Sequence, residues 1–340
     1  MATRQINYNP ILPGRFAKSS RYAIEELMLI DVGASGGIDE FWKSFGSSLR
    51  AVGFDPLIAE VDRLNKIGEP GVRYEAAFVG DPDYDRLFPP AQRQDTISSK
   101  NNSSFQGTSA IRASQAMRMN YVQEVYNAGS EVRMTDRFVS LDDYVQQAGL
   151  RSVDFVKIDT DGHDIEVILG AKQMLAAQNV VGICIEAQMH GARGPHSNTF
   201  ANIDGLLRDW GFTLFDLDLW RYSRRSLPDK FVYRIPAQTV TGQVQWGEAL
   251  YFRDLARADY QQMHGFAGDL AKKIKLACLF ELYGLPDCSA EILVQLQQET
   301  GDPFFSTLLD EIVAHYRGSR MSYSKFLEYF DADPKRFFPA

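Results

Sequence analysis

Three clusters in this chain hold side chains able to do chemistry. The first is Asp31-Val32-Gly33-Ala34-Ser35-Gly36-Gly37, answered by Asp55-Pro56 further on. The second is Lys157-Ile158-Asp159-Thr160-Asp161-Gly162-His163, and the third is Glu186-Ala187-Gln188-Met189-His190. In the first, Gly33, Gly36 and Gly37 let the chain turn sharply and let a ligand approach the backbone. Such a loop is expected to open a helix whose N-terminal amides face the ligand. Asp55 lies 24 residues beyond Asp31, near the roughly 20-residue offset at which an acid accepts ribose hydroxyls. Taken singly, the loop is also compatible with a plain tight turn and Asp55 with a helix cap.

Two nucleosides compete for the loop. A nicotinamide dinucleotide favours G-x-G-x-x-G around a pyrophosphate, but Ser35 stands at the second glycine and Asp31 precedes the first. An acid there repels a pyrophosphate and suits a cation. S-adenosylmethionine has a sulfonium and an amino group and no phosphate, so the methyl donor is the expected cofactor. The NAD-type oxidoreductase is the alternative.

The second and third clusters hold the candidate acids and bases. Asp159, Asp161 and His163 are candidate catalytic groups, with His163 the expected general base because imidazole titrates near neutrality. His190 is the alternative base; each histidine is equally readable as a solvated polar residue. Asp159 and Asp161 are also a possible Mg²⁺ pair. His163, His190 and His196 lack the spacing of a zinc site.

The elements that must position these groups alternate. Leu27-Met28-Leu29-Ile30 reads as a strand buried on both faces, and Phe41, Phe45 and Leu49 then step at helical spacing. Strands are expected at 51–54, 72–79, 153–159, 180–185, 212–217 and 249–253, with helices at 57–67, 165–175 and 203–210 between them. Ser140 is a natural N-cap with Asp143 three residues on. A further helix is expected at 110–127. This alternation predicts an α/β, doubly wound, mostly parallel sheet. Ligands of such sheets bind beyond the carboxyl ends of the strands, where all three clusters fall. Past residue 255, Ile274, Cys278 and Leu282 step by four, as do Phe304, Leu308 and Ile312, which predicts a helical appendage. The domain reading is therefore an irregular lead-in at 1–22, a catalytic domain at 23–254 and a helical extension at 255–340.

Composition narrows the partners. A net charge of −8 argues against nucleic acid as the main partner. Three dispersed cysteines with no C-x-x-C fit a reducing compartment. The start lacks the apolar core of a signal peptide, and no apolar run is long enough to span a bilayer. A cytoplasmic protein is expected. Arg221, Arg224, Arg225 and Lys230 form a basic run that reads as a solvated face or as a contact for an anionic acceptor such as a sugar phosphate or uronic acid. The tail stripes could pack on the core or pair two chains into a homo-oligomer.

Together the residues resemble the FkbM family of methyltransferases. The resemblance rests on Asp31-Val32-Gly33-Ala34 with Gly37, on Phe138-Val139-Ser140-Leu141-Asp142-Asp143, and on Val153 through Gly162 and Glu166 to Leu169-Gly170-Ala171, and it spans about residues 25–253. It implies a Rossmann-like class I fold with a seven-stranded sheet and a reversed last hairpin. It also implies S-adenosylmethionine as donor and a hydroxyl of a carbohydrate or secondary metabolite as acceptor. Lys157, Asp159 and Asp161 then fall at the active site, and Ser103 and Ser104 match a small serine motif near the cofactor. Asp161 replaces the family's usual Glu, and His163 its usual Tyr or Ala. A methyltransferase-fold protein used only in assembly is the remaining alternative.

Overall fold

The computed structural model describes residues 4–88, 133–160, 162–176, 180–189, 194, 196–222, 238–265, 268–318 and 320–337. They fall in two compact units. The first gathers Met28–Asp39 and Leu49–Arg253 with Arg4, and the second gathers Gln5–Leu27, Glu40–Ser48 and the chain from Asp254 onward. Among the described residues no helix is long and apolar enough to cross a membrane.

Among the described residues the first unit is built on ten strands. They are β1 (Leu27–Val32), β2 (Leu49–Asp55), β3 (Val72–Ala76), β4 (Phe78–Val79), β5 (Phe138–Val139), β6 (Phe155–Ile158), β7 (Gly182–Gln188), β8 (Thr213–Tyr222), β9 (Gln238–Thr239) and β10 (Gln243–Phe252). The main sheet runs β3-β2-β1-β6-β7-β10-β8, with two-residue β9 on its edge, and β4 and β5 pair separately. The strands from β3 to β7 whose pairing is defined run parallel, and β10 enters antiparallel between β7 and β8. This is the expected doubly wound seven-stranded sheet with a reversed last hairpin. The chain order reverses between neighbours β1 and β6, and a topological switch point of this kind is where such sheets bind ligands beyond the strands' carboxyl ends.

Alternation along the strands separates two faces. Val32, Ile158, Ile185, Ala249 and Leu217 stand in one cross-strand row and join the main apolar core. Asp31, Lys157, Cys184 and Asp216 stand in the adjacent row on the opposite face.

Local chemistry sets the boundaries of the elements. Ser140 caps the helix Leu141–Gln147, its Oγ accepting from the Asp143 amide at 3.1 Å, as expected from S-L-D-D. The helix expected at 165–175 is two pieces, Asp164–Leu169 and Lys172–Ala176. At the break, any side chain on Gly170 would collide with the Gly80 carbonyl, so the two backbones pass at glycine distance. The strand expected at 72–79 divides into β3 and β4, and Leu49, expected on a helix, begins β2. The helix expected at 110–127 lies outside the described residues.

The second unit is helical. Residues expected to be irregular include the helix Leu12–Ala17, whose leading amides at Ile11 and Leu12 donate to the buried Glu281 carboxylate. The residues after the glycine loop form a 3-10 segment, Glu40–Ser48, kinked at Gly46. The tail forms four longer helices, Leu270–Leu282, Pro286–Thr300, Pro303–Arg317 and Tyr323–Ala332. Ile274, Cys278 and Leu282 are buried as their spacing predicts. In the third, Phe305, Leu308 and Ile312 are buried, whereas Phe304 stacks on Tyr22 at 5.4 Å.

Candidate functional site

At the carboxyl end of β1, the three loop glycines do three different jobs. All have positive φ, at +89°, +88° and +99° for Gly33, Gly36 and Gly37, which side chains rarely adopt. A side chain on Gly33 would run into the Asp159 carbonyl, so this glycine lets the loop press on the β6 terminus. A side chain on Gly37 would meet the Tyr74 hydroxyl at 3.1 Å and Leu64 at 3.2 Å, so it serves packing. Beside Gly36 there is open space, so of the three glycines this one offers bare backbone to a ligand.

The loop amides correct the expectation of a helix N-terminus aimed at the ligand. Gly33 and Ala34 donate to the Phe54 carbonyl, Gly37 to Ala34, Gly36 to Glu60 Oε1 at 2.9 Å and Ile38 to the Tyr74 hydroxyl. The loop is held by β2 and by the helix Ile58–Ile67 instead. Glu60, unnoticed in the sequence, also takes both guanidinium arms of Arg63. Asp55 ends β2 as expected, buried, with Oδ1 accepting from Leu57 N at 2.7 Å. Burial raises its pKa above the usual carboxylate range, with Glu60 adding to the rise and the Leu57 amide opposing it. Ala34 packs in a small cluster with Val61, Leu64 and Tyr74, and Ser35 is exposed.

Asp31 is 1% exposed. Burial lifts its pKa to about 6, against the pull of Lys157. The Lys157 ammonium lies 3.6 Å from Asp31 Oδ1 and 3.5 Å from Asp159 Oδ2. Burial disfavours the Lys157 charge, but Asp31 and Asp159 more than offset it and hold the ammonium protonated. Asp31 Oδ1 has no hydrogen-bond partner. A buried carboxylate at a glycine loop, its Oδ1 facing one ammonium beyond direct hydrogen-bond distance, fits a ligand bearing a cationic donor.

The turn after β6 is braced by Asp164, a residue the motif reading passed over. Its Oδ1 accepts from the Thr160 amide and hydroxyl, and its Oδ2 accepts from Asn198 Nδ2 at 2.9 Å. Asn198 Oδ1 in turn accepts from Ile165 N. His163 begins the helix Asp164–Leu169, its Nδ1 at 2.9 Å from Glu166 Oε1. Burial pushes its pKa down, but Glu166, with Asp164 and Asp85, lifts it above the ordinary 6.5. An ionised carboxylate only accepts, so His163 Nδ1 is the donor and Nε2 keeps the lone pair.

These findings bring Asp31, Lys157 and Asp159 together, with Gly33 against the Asp159 backbone. Asp161, His190, Ser103 and Ser104 lie outside the described residues, as do Arg224, Arg225 and Lys230. Arg221 lies on β8. Magnesium gains no support: Asp159 faces the Lys157 ammonium, and among the described residues no three His, Cys, Asp or Glu side chains form a metal cage.

A model of the methyltransferase FkbM domain matches residues 31–214, more than half of the chain. The chain belongs to the FkbM methyltransferase family. Family and fold are those of S-adenosylmethionine-dependent methyltransferases, which sets the oxidoreductase reading aside. No curated protein sequence matches the chain. Among solved structures, this FkbM methyltransferase is similar to magnesium protoporphyrin IX methyltransferase from Synechocystis PCC 6803 (14% identity, 72% of this chain and 76% of that one, TM-score 0.27). It is also similar to a precorrin-6y C5,15-methyltransferase from Geobacter metallireducens GS-15 (12%, 72% and 85%, 0.32) and to the N-methyltransferase NodS from Bradyrhizobium japonicum WM9 (8%, 72% and 92%, 0.29).

The FkbM match ends within β8, yet the hairpin beyond it adds groups the motif reading missed. Glu248 on β10 lies opposite both Glu186 on β7 and Asp218 on β8. Arg4 reaches the same face, its Nε 2.6 Å from Asp216 Oδ2 and its Nη1 3.3 Å from Glu248 Oε2. The alternation Asp216, Asp218, Trp220 was a visible signal for one polar face. Nothing local to Arg4 announces its partners more than 200 residues away.

Proposed function

We propose that this methyltransferase acts on a hydroxyl of a carbohydrate or secondary-metabolite acceptor, with His163 as the base. The observation that carries the reading is the His163–Glu166 pair at 2.9 Å, beside the turn that ends β6. When bound, S-adenosylmethionine supplies an activated methyl group on a sulfonium. The protein's tasks are therefore to position the reactants and to remove one proton.

Asp31 and the carbonyls of the 33–37 loop are the groups for the donor's amino-acid end, and Asp55 is the group for its ribose hydroxyls. Lys157 opposes the burial-driven rise of the Asp31 pKa and lies between the Asp31 and Asp159 carboxylates. Glu60 fixes the Gly36 amide and so the loop at its open glycine. Glu166 orients the His163 ring, so that the proton of the acceptor hydroxyl passes to Nε2 as the oxygen takes the methyl group. The imidazolium formed is then stabilised by Glu166. Asp161 and Ser104 remain proposed site residues on the family resemblance.

The test has two stages. Calorimetric titration with S-adenosylhomocysteine should show binding, and absence of heat would sink the reading. Incubation of a glycoside panel with methyl-tritiated donor should then put label into an alkali-stable ether. Label found only on nitrogen or carbon would overturn the hydroxyl acceptor.

A further inference from the structure

Beyond the acids lies a third row on the same sheet face. Gln188, Trp246 and Trp220 stand side by side on β7, β10 and β8, two residues along from Glu186, Glu248 and Asp218. Residues two apart on a strand share a face. Trp246 continues the unbroken register of β10 and β8 that pairs Glu248 with Asp218, and the ladder shifts only beyond it, at Gln245. The two indoles stack at 4.3 Å with 4° between their planes.

Gln188 is 5% exposed and its Nε2 has no hydrogen-bond partner. That nitrogen stands 3.2 Å from where a side chain on Gly162 would begin, so it points at the turn between Asp159 and His163. A buried amide donor left unmet is costly, and such groups normally answer to something. Carboxylates directly opposite one another on neighbouring strands are costly too. Among the described residues this face holds Asp31, Asp159, Glu186, Asp216, Asp218 and Glu248 with the cations Lys157 and Arg4. One guanidinium already lies here, shared by Asp216 and Glu248.

We propose that the Gln188–Trp246–Trp220 row, with Glu248 and Asp218 beside it, is the acceptor subsite and that it takes a sugar ring bearing an amino group. The proposal rests on the methyl-transfer reading above and names its substrate class. Flat indoles pack against the C–H face of a pyranose and attract a cation. The Gln188 amide donates to a ring oxygen or hydroxyl, and the acid row holds the ammonium. An anionic sugar would meet repulsion. Arg221, the described member of the basic run, follows Trp220 on β8 and so stands on the opposite face.

The test titrates the full chain, with and without saturating S-adenosylhomocysteine, against three probes. These are methyl 2-amino-2-deoxyglucopyranoside, methyl glucopyranoside and methyl glucuronide. The amino glycoside should bind at least tenfold tighter than the glucuronide and should change the near-ultraviolet circular dichroism of the stacked indoles. Gln188→Ala and Asp218→Asn should each weaken it at least fivefold while S-adenosylhomocysteine affinity stays the same. Equal or tighter binding of the glucuronide overturns the proposal. So does binding of the amino glycoside that neither substitution changes, or no glycoside binding by a chain that still binds S-adenosylhomocysteine. Failure to bind S-adenosylhomocysteine counts instead against the methyl-transfer reading, and the titrations without it still decide the subsite.

Discussion

On one face of the central sheet, Val32, Ile158, Ile185 and Ala249 form a dry row. In the adjacent row, on the other face, stand Asp31, Lys157, Cys184 and Asp216, with Leu250 between the last two. The same backbone therefore carries two kinds of energetics. The dry face is stabilised by area removed from water, where each methyl group adds a similar amount and neighbours can shift to fill a gap. On the polar face each charge is tolerable only because of a particular partner, as Asp31 is because of Lys157. A face of the first kind holds a fold together, and a face of the second kind is retained where ligands need charge.

The largest effect that sharpens this contrast is catalytic. His163→Gln should lower kcat by about 10²–10⁴-fold, the usual contribution of a general base, with the urea midpoint little changed. In the unaltered protein the acid limb of the kcat/KM profile should lie above pH 6.5, because the His163 pKa is raised. Glu166→Gln should move that limb down. A raised histidine pKa also contributes stability below pH 6.5 that is lost as pH rises through the folded value.

Next in size is Lys157→Met, expected to cost about 3 kcal/mol in urea unfolding by leaving Asp31 buried without its cation. Asp31→Asn in the same chain should restore most of that loss, since both charges are then gone. Ile185→Val on the dry face should cost about 0.5–1.5 kcal/mol, leave kcat unchanged and be rescued by no polar substitution. Failure of the double variant to recover would break the contrast, for it would mean that the polar face is also held by packing.

The smallest effect is in proton linkage. The Asp31 pKa stands near 6 in the folded protein against an ordinary 3.8. The folded state therefore binds more protons than the unfolded state between those values, and stability falls as pH rises across that window. A cation brought by the cofactor would favour the ionised form. Binding of S-adenosylhomocysteine at pH 5.5 should then release a fraction of a proton, read as a dependence of calorimetric heat on buffer ionisation enthalpy. Asp31→Asn should abolish it.

Much of this was legible in the sequence, and the reason is locality. Strand, glycine loop and capped helix are short-range patterns, so β1, β2, the Ser140 cap and the Lys157–Gly162 motif could be read directly. The misreadings share the opposite cause. Leu49 continues a helical period from Phe41 and Phe45, yet it joins β2 because pairing with distant strands outweighs local period. Residues 165–175 carry one helical pattern, and only the passing Gly80 backbone divides them. Glu60, Arg4, Asn198 and Gln188 acquire their roles through partners brought near by folding, and single-chain spacing holds no record of that.

The contact between Gly33 and the Asp159 carbonyl bears on how this protein can evolve and how a mutational scan of it will read. Every substitution at Gly33 pushes on the backbone that carries Asp159, so tolerance at the two positions should rise and fall together. Scored by activity alone, Gly33 will pass for a catalytic residue although its side chain is a hydrogen atom. Drift in the glycine loop is thereby tied to drift in the Lys157–Gly162 motif.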